Sequence, residues 1–127
     1  MKILIVDDNS EIRKKIKEIL LGRLPFSDIS EADNAESAAV LVDNKTPDVM
    51  ITDINLPGHD GLWLTERSKL RHPKLPIIIN SFSDNKEYRI AAFQLGANYF
   101  LSKKDNSLNA LVEIISEIRS SGIETSG

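Results

Sequence analysis

Four of the short apolar runs in this chain are followed by residues able to do chemistry. The acidic pair Asp7-Asp8 follows 3–6, Asp53 follows 49–52, Ser81 follows 77–80, and Lys103 stands just behind 99–101. If these ends converge, three carboxylates share one spot with a hydroxyl and an ammonium. Carboxylates so placed repel one another and raise some of their own pKa values unless a cation neutralises them. Oxygen donors suit a hard ion such as Mg²⁺, whereas softer metals find no cysteine and only His59 and His72. No EF-hand calcium loop occurs. With the charge screened, a carboxylate oxygen can attack phosphorus. Lys103 can then hold one phosphate oxygen as a point charge and the Ser81 hydroxyl can donate to another.

The elements that must position these groups alternate along the chain. Strands are expected at 3–6, 29–32, 49–52, 77–80 and 99–101, several of them continuously apolar, as suits strands covered on both faces. Helices are expected between them: Ile12, Ile16, Ile19 and Leu20 repeat at helical spacing, as do Ala35, Ala38, Leu41 and Val42, and later Tyr88, Ala91, Ala92 and Leu95. Leu108, Leu111, Val112, Ile115 and Ile118 mark the last helix. Asp60 can cap a helix over 61–72 that the His72-Pro73 step closes, and Asp84 with Glu87 reads as a variant capping box for the fourth helix. Gly96 suits that helix's C-terminal turn. Alternating strands and helices imply an α/β fold, a parallel sheet with helices on both faces. In such sheets the functional crevice lies beyond the carboxyl ends of the strands. A strand order of 2-1-3-4-5 would make strands one and three neighbours, an order the pattern alone does not force.

Composition narrows the class further. With 127 residues and 41% hydrophobic content the chain fits one domain. Sixteen basic against nineteen acidic residues give a net charge of −3, which argues against direct nucleic acid binding or attraction to an anionic membrane. The absence of cysteine excludes disulfides and thiol catalysis and agrees with a reducing, cytoplasmic setting. The initial apolar run stops at Asp7, well short of a signal core or membrane span. The domain is expected over 1–119, with the small, polar stretch 120–127 as a flexible tail or the start of a linker.

In this order and spacing, Ile3-Leu4-Ile5-Val6-Asp7-Asp8, the stretch from Asp53 to Gly61, Pro76-Ile77-Ile78-Ile79-Asn80-Ser81, and Gly96-Ala97-Asn98-Tyr99-Phe100-Leu101-Ser102-Lys103 resemble the receiver domain of bacterial two-component response regulators. That resemblance covers residues 1 to 119 and implies a flavodoxin-like (βα)5 fold with strand order 2-1-3-4-5. It implies that Asp53 is the phosphoacceptor, loaded by a histidine kinase or phosphotransfer protein. Asp8, Asp53 and the Asn55 backbone carbonyl become direct Mg²⁺ ligands, with Asp7 acting through a water. Ser81 and Phe100 match the switch pair, biasing the surface of the fourth helix, fifth strand and fifth helix toward an output domain, a partner protein or a homodimer. Such a protein is a signalling switch that catalyses its own phosphorylation and dephosphorylation, often with a transcriptional output. Two positions depart from the pattern. Phe82 replaces a small residue beside the switch hydroxyl and is expected to narrow access to the acyl phosphate. Lys104 replaces a proline, which makes the Lys103-Lys104-Asp105 stretch more similar to receivers of the LuxR/FixJ type than to winged-helix regulators.

Each residue taken alone has a plainer reading. Asp7-Asp8 could cap the first helix, Asp53 could be a turn residue, Ser81 a cap, Lys103 a solvated lysine and Phe100 core. Their joint spacing favours function. A haloacid dehalogenase-type phosphatase would want a second aspartate where Asn55 stands, and a substrate cap. A flavin carrier of the same fold would want a Ser/Thr/Gly-rich phosphate loop in place of Asp7-Asp8. A receiver that works without phosphorylation would lack chemical positions that are filled here.

Overall fold

The computed structural model describes residues 1–105 and 107–126, with side chains as far as residue 121. In chain order the elements are β1 (Lys2–Val6), α1 (Ser10–Arg23), β2 (Asp28–Ala32), α2 (Ala35–Asn44), β3 (Val49–Thr52) and α3 (Gly61–Arg71). They continue with β4 (Ile77–Ser81), α4 (Lys86–Gln94), β5 (Tyr99–Ser102), a 3-10 turn at Lys103–Asp105 and α5 (Leu108–Ser126). The strands form one sheet in the order β2-β1-β3-β4-β5, all pairs parallel. Strands one and three are therefore neighbours, as the phosphoacceptor reading requires.

Period-two alternation divides the core between the two faces. Ile3 and Ile5 of β1 pack with Val49, Ile51 and Ile78 against Ile16 and Leu20 of α1 and Leu111, Val112 and Ile115 of α5. Leu4 and Val6 pack with Met50, Ile77 and Ile79 against Ala35, Ala38 and Val42 of α2, Leu64 of α3 and Ala92 of α4. These side chains are essentially removed from water, and each fully buried Ile or Leu contributes roughly 1.5–3 kcal/mol. Register then does the positioning. Val6 lies opposite Thr52, the Asp53 N–H donates to the Val6 carbonyl at 3.0 Å and the Asp7 N–H to that of Ala32 at 3.1 Å. The next residues, Asp7 and Asp53, thus emerge side by side. On the other flank Ser81 pairs with Ser102, the residue before Lys103.

The helix starts set aside one plain reading and correct one expectation. Asn9, not the acidic pair, caps α1, its Oδ1 accepting from Glu11 and Ile12 N–H. Asp7 and Asp8 are thereby left for other work. Asn85 caps α4 by accepting from Tyr88 N–H at 3.0 Å. Asp84 does not form the expected capping box, because its carboxylate is engaged by Ser102 and Lys104 instead. Asp60 caps α3 as anticipated, His72 closes it, and Gly96 follows α4 at φ 110°. Helix α5 runs from Leu108 to Ser126.

Candidate functional site

The ends of β1, β3 and β5 meet in a compact knot of charge. Lys103 Nζ donates to Asp7 Oδ2 at 2.6 Å and to Asp53 Oδ2 at 2.8 Å, with all three side chains under a tenth exposed. The remaining oxygens are also held: Asp53 Oδ1 accepts from the Ile54 and Asn55 N–H groups at 2.7 and 3.3 Å, and Asp7 Oδ1 from Asn9 N–H at 2.9 Å. Asp8 is exposed at the rim, yet one oxygen from each of Asp7, Asp8 and Asp53 lies within 4.8 Å of the others.

Electrostatics makes this knot unbalanced. Burial pushes the Asp7 carboxyl above its usual range, partly offset by the hydrogen bonds from Lys103 and the Asn9 N–H. Burial alone would lower the Lys103 ammonium, but its bonds to Asp53 and Asp7 outweigh that and hold it above its usual value. One ammonium is shared by two buried carboxylates, with a third carboxylate beside them. A divalent cation fits such a donor set, since every convergent group is a hard carboxylate oxygen. The cluster can hold one; the donors favour Mg²⁺-like ions over soft metals.

Backbone and neighbouring side chains shape the rim. A Cβ on Gly61 would sit 1.9 Å from the Asp53 carbonyl oxygen, so only glycine lets α3 start this close to that residue. Gly61 N–H donates to the Ile54 carbonyl at 2.8 Å, and His59 N–H to Glu36 Oε1 at 2.9 Å, which ties the turn after β3 to the first turn of α2. Gly58 sits within that turn at φ 76°. Arg13, one turn into α1, donates through Nη1 to the Asp7 carbonyl at 2.5 Å and through Nε to Glu31 at 3.1 Å.

The other residues singled out from the sequence fall nearby with distinct partners. Ser81 is buried, and its Oγ accepts from Ser83 N–H at 3.1 Å. Ser83 Oγ accepts from Asn55 Nδ2 at 2.5 Å, bridging the turns after β3 and β4. Phe100 is 8% exposed and lies under the Arg89 guanidinium at 4.7 Å. Phe82 is 55% exposed, its ring 5.4 Å from Lys103 Nζ, so it stands beside the knot without covering it completely. Sequence reasoning missed Asn9, Arg13, Glu36 and Asn80, the last a buried β4 residue that accepts from Ser107 Oγ at 2.8 Å. A polar residue inside the apolar run 77–80 was the one signal available for Asn80. Arg13 and Glu36 offered none, being ordinary helix residues by type.

Comparisons with known proteins bear on this geometry. Residues 3–116 match the family described as the response regulator receiver domain. The chain is 39% identical over 99 residues to the DNA-binding transcriptional regulator NtrC of Salmonella typhimurium, covering 78% of this chain and 21% of that protein. It is 38% identical over 106 residues to the chemotaxis protein CheY1 of Helicobacter pylori, covering 81% of this chain and 85% of CheY1. Among solved structures, the N-terminal domain of an uncharacterized protein from Wolinella succinogenes superposes with a TM-score of 0.88 at 30% identity, covering 98% of each chain. The chain thus spans about a fifth of NtrC but most of CheY1.

Proposed function

The chain belongs to the response regulator receiver family, and from that premise we propose that Asp53 is the residue it phosphorylates, with the buried bridge from Lys103 to Asp53 and Asp7 as the observation that carries the assignment. A carboxylate oxygen of Asp53 attacks phosphorus while the bond to the donor's nitrogen or oxygen breaks, and the donor leaves with the electron pair. Lys103, already within 2.8 Å of Asp53, keeps a phosphoryl oxygen at hand. The Ile54 and Asn55 N–H groups orient the nucleophilic carboxylate. Asp8 and Asp53 are the proposed direct metal ligands together with the Asn55 backbone carbonyl, and Asp7 acts through a water. Bound Mg²⁺ would screen the charge between the carboxylates and the incoming phosphoryl group.

Ser81 and Phe100 are proposed as the switch pair. Ser81 Oγ, which accepts from Ser83 N–H, still has its own O–H to donate as it shifts toward a phosphoryl group, and Phe100 would report on that shift from the core beneath Arg89. The surface of α4, β5 and α5 would then change its affinity for an output domain, a partner protein or a second copy. A histidine kinase or phosphotransfer protein is the proposed phosphodonor. The unit is taken as 1–119, with 120–127 as a tail or the start of a linker, and the LuxR/FixJ type is favoured because Lys104 follows Lys103. Among the described residues no helix is long and apolar enough to cross a membrane, and a cytoplasmic setting is proposed.

Incubation with acetyl phosphate or phosphoramidate and Mg²⁺ tests the assignment. The protein should gain the mass of one phosphate, and Asp53→Asn should gain none. Label retained in Asp53→Asn, or no label in the unaltered protein from any small donor or kinase, would overturn it.

A further inference from the structure

Strand β4 ends in Ser81, and the short turn that follows it leads to Asp84, which is fastened on three sides. Its Oδ2 accepts from Ser102 Oγ at 2.7 Å, its Oδ1 from Lys104 Nζ at 3.2 Å, and its backbone carbonyl from Arg89 Nε at 3.1 Å. Ser102 Oγ in turn accepts from Lys104 N–H at 3.2 Å, so both the donor and an acceptor site of that hydroxyl are used. The carboxyl of Asp84 is held below its usual range by Ser102 and then by Lys104. Charge-assisted bonds of this kind are the stronger sort.

The positions of these partners give the fastening its meaning. Ser102 and Lys104 flank Lys103, the residue bonded to Asp53. Arg89 lies on α4, and its guanidinium covers Phe100 at 4.7 Å. Asp84 therefore joins the segment bearing the switch hydroxyl, the segment bearing the phosphate-binding lysine, and the helix over the switch aromatic. In this arrangement Ser81 Oγ accepts from its own turn, and no hydrogen bond among the described residues joins it to Asp53 or Lys103.

We propose that Asp84, with Ser102 and Lys104, is a positioning clasp that holds the turn after β4 in its resting place and so sets how readily Ser81 moves to a phosphoryl group on Asp53. The clasp rests on the reading of Asp53 as phosphoacceptor. Moving Ser81 toward Asp53 drags the short turn that ends in Asp84, while Ser102 and Lys104 pull it back. Arg89 transmits the displacement to α4 and uncovers Phe100. By linkage, weakening the clasp raises the affinity of the site for a phosphoryl mimic without altering the carboxylates that hold the cation.

The test uses trifluoroberyllate as the mimic, titrated at saturating Mg²⁺ and read by the fluorescence of Trp63, the single tryptophan. Lys104→Ala removes a side chain that is 60% exposed, and Asp84→Ala removes the hub. Each variant should reach half-saturation at a mimic concentration lower by on the order of fivefold. The double variant should gain no more than Asp84→Ala alone, since both act on one clasp. Mg²⁺ half-saturation in the absence of the mimic should stay unchanged, which a general loosening of the site would not allow. Unchanged or weaker mimic binding in Lys104→Ala overturns the clasp, even if Asp84→Ala fails to fold. Absence of any response in the unaltered protein would instead count against the phosphoacceptor reading.

Discussion

Two clusters of charge in this protein have opposite balances. Between α2 and α3, Asp43 alone faces Arg67 at 2.8 Å, Arg71 at 3.3 Å and the His72 ring at 3.2 Å. The hydrogen bond from Arg67, then that from His72, holds its carboxyl below the usual range. At the ends of β1, β3 and β5 the ratio is reversed, with Lys103 shared between Asp7 and Asp53, and the Asp7 carboxyl is pushed up. In the first cluster the single carboxylate is fully paired, although Arg67 Nη1 is buried without a hydrogen-bond partner, and the cluster pins two helices. The second is short of positive charge inside the fold, the state expected of a site built to receive a cation and then a phosphoryl group.

The largest effect should come from removing the one counter-charge of the second cluster. Lys103→Ala leaves two buried carboxylates unpaired and should lower unfolding free energy without divalent cation by about 3–5 kcal/mol in urea melts. A loss below about 1 kcal/mol would mean that the ammonium is not what reconciles these carboxylates. Asp7→Asn should act in the other direction. A folded-state pKa above the ordinary 3.8 means that the charged form opposes folding at neutral pH and that this cost disappears as pH falls through the raised value. The substitution should therefore stabilise the cation-free protein, on the order of 1 kcal/mol. It should also flatten the gain in stability on mild acidification, and a destabilised Asp7→Asn would erase the contrast between the clusters.

The smallest effect belongs to Asp43→Asn. Its depressed carboxyl contributes stability that is present above the ordinary 3.8 and is lost as pH falls below it through the folded value. The substitution should destabilise slightly at pH 7, make no difference at the acid end, and matter less in molar salt because the group is partly open to solvent. A loss as large as that from Lys103→Ala would show that the pinning cluster, and not the knot at the sheet's edge, dominates the electrostatics of the fold.

How far the sequence revealed these clusters follows from the range of the interactions. Apolar runs closed by Asp7, Asp53, Ser81 and Lys103 were readable because strand length and the first polar residue are local properties. Strand order was not, since it depends on which crossover brings β1 beside β3; the family resemblance supplied it and the sheet agrees. Asp43 meets Arg67, Arg71 and His72 across 24 to 29 residues, with nothing local to single it out. Asp84 misled for a related reason, because its spacing to Glu87 suits a cap while a serine and a lysine brought up by β5 claim its carboxylate. Gly61 was visible only as part of a motif; its need for a missing Cβ appears once the Asp53 carbonyl is in place.

The most direct measurement is a Mg²⁺ titration of the thermal unfolding midpoint for the unaltered protein and for Asp8→Ala. Asp8 lies exposed at the rim of the cluster, so its loss should leave folding without the cation intact. A cation that binds the folded state alone raises the midpoint with concentration. The unaltered protein should show that rise, and Asp8→Ala should lose most of it. Equal rises in both proteins, or no rise in either, would contradict a cation site at Asp7, Asp8 and Asp53.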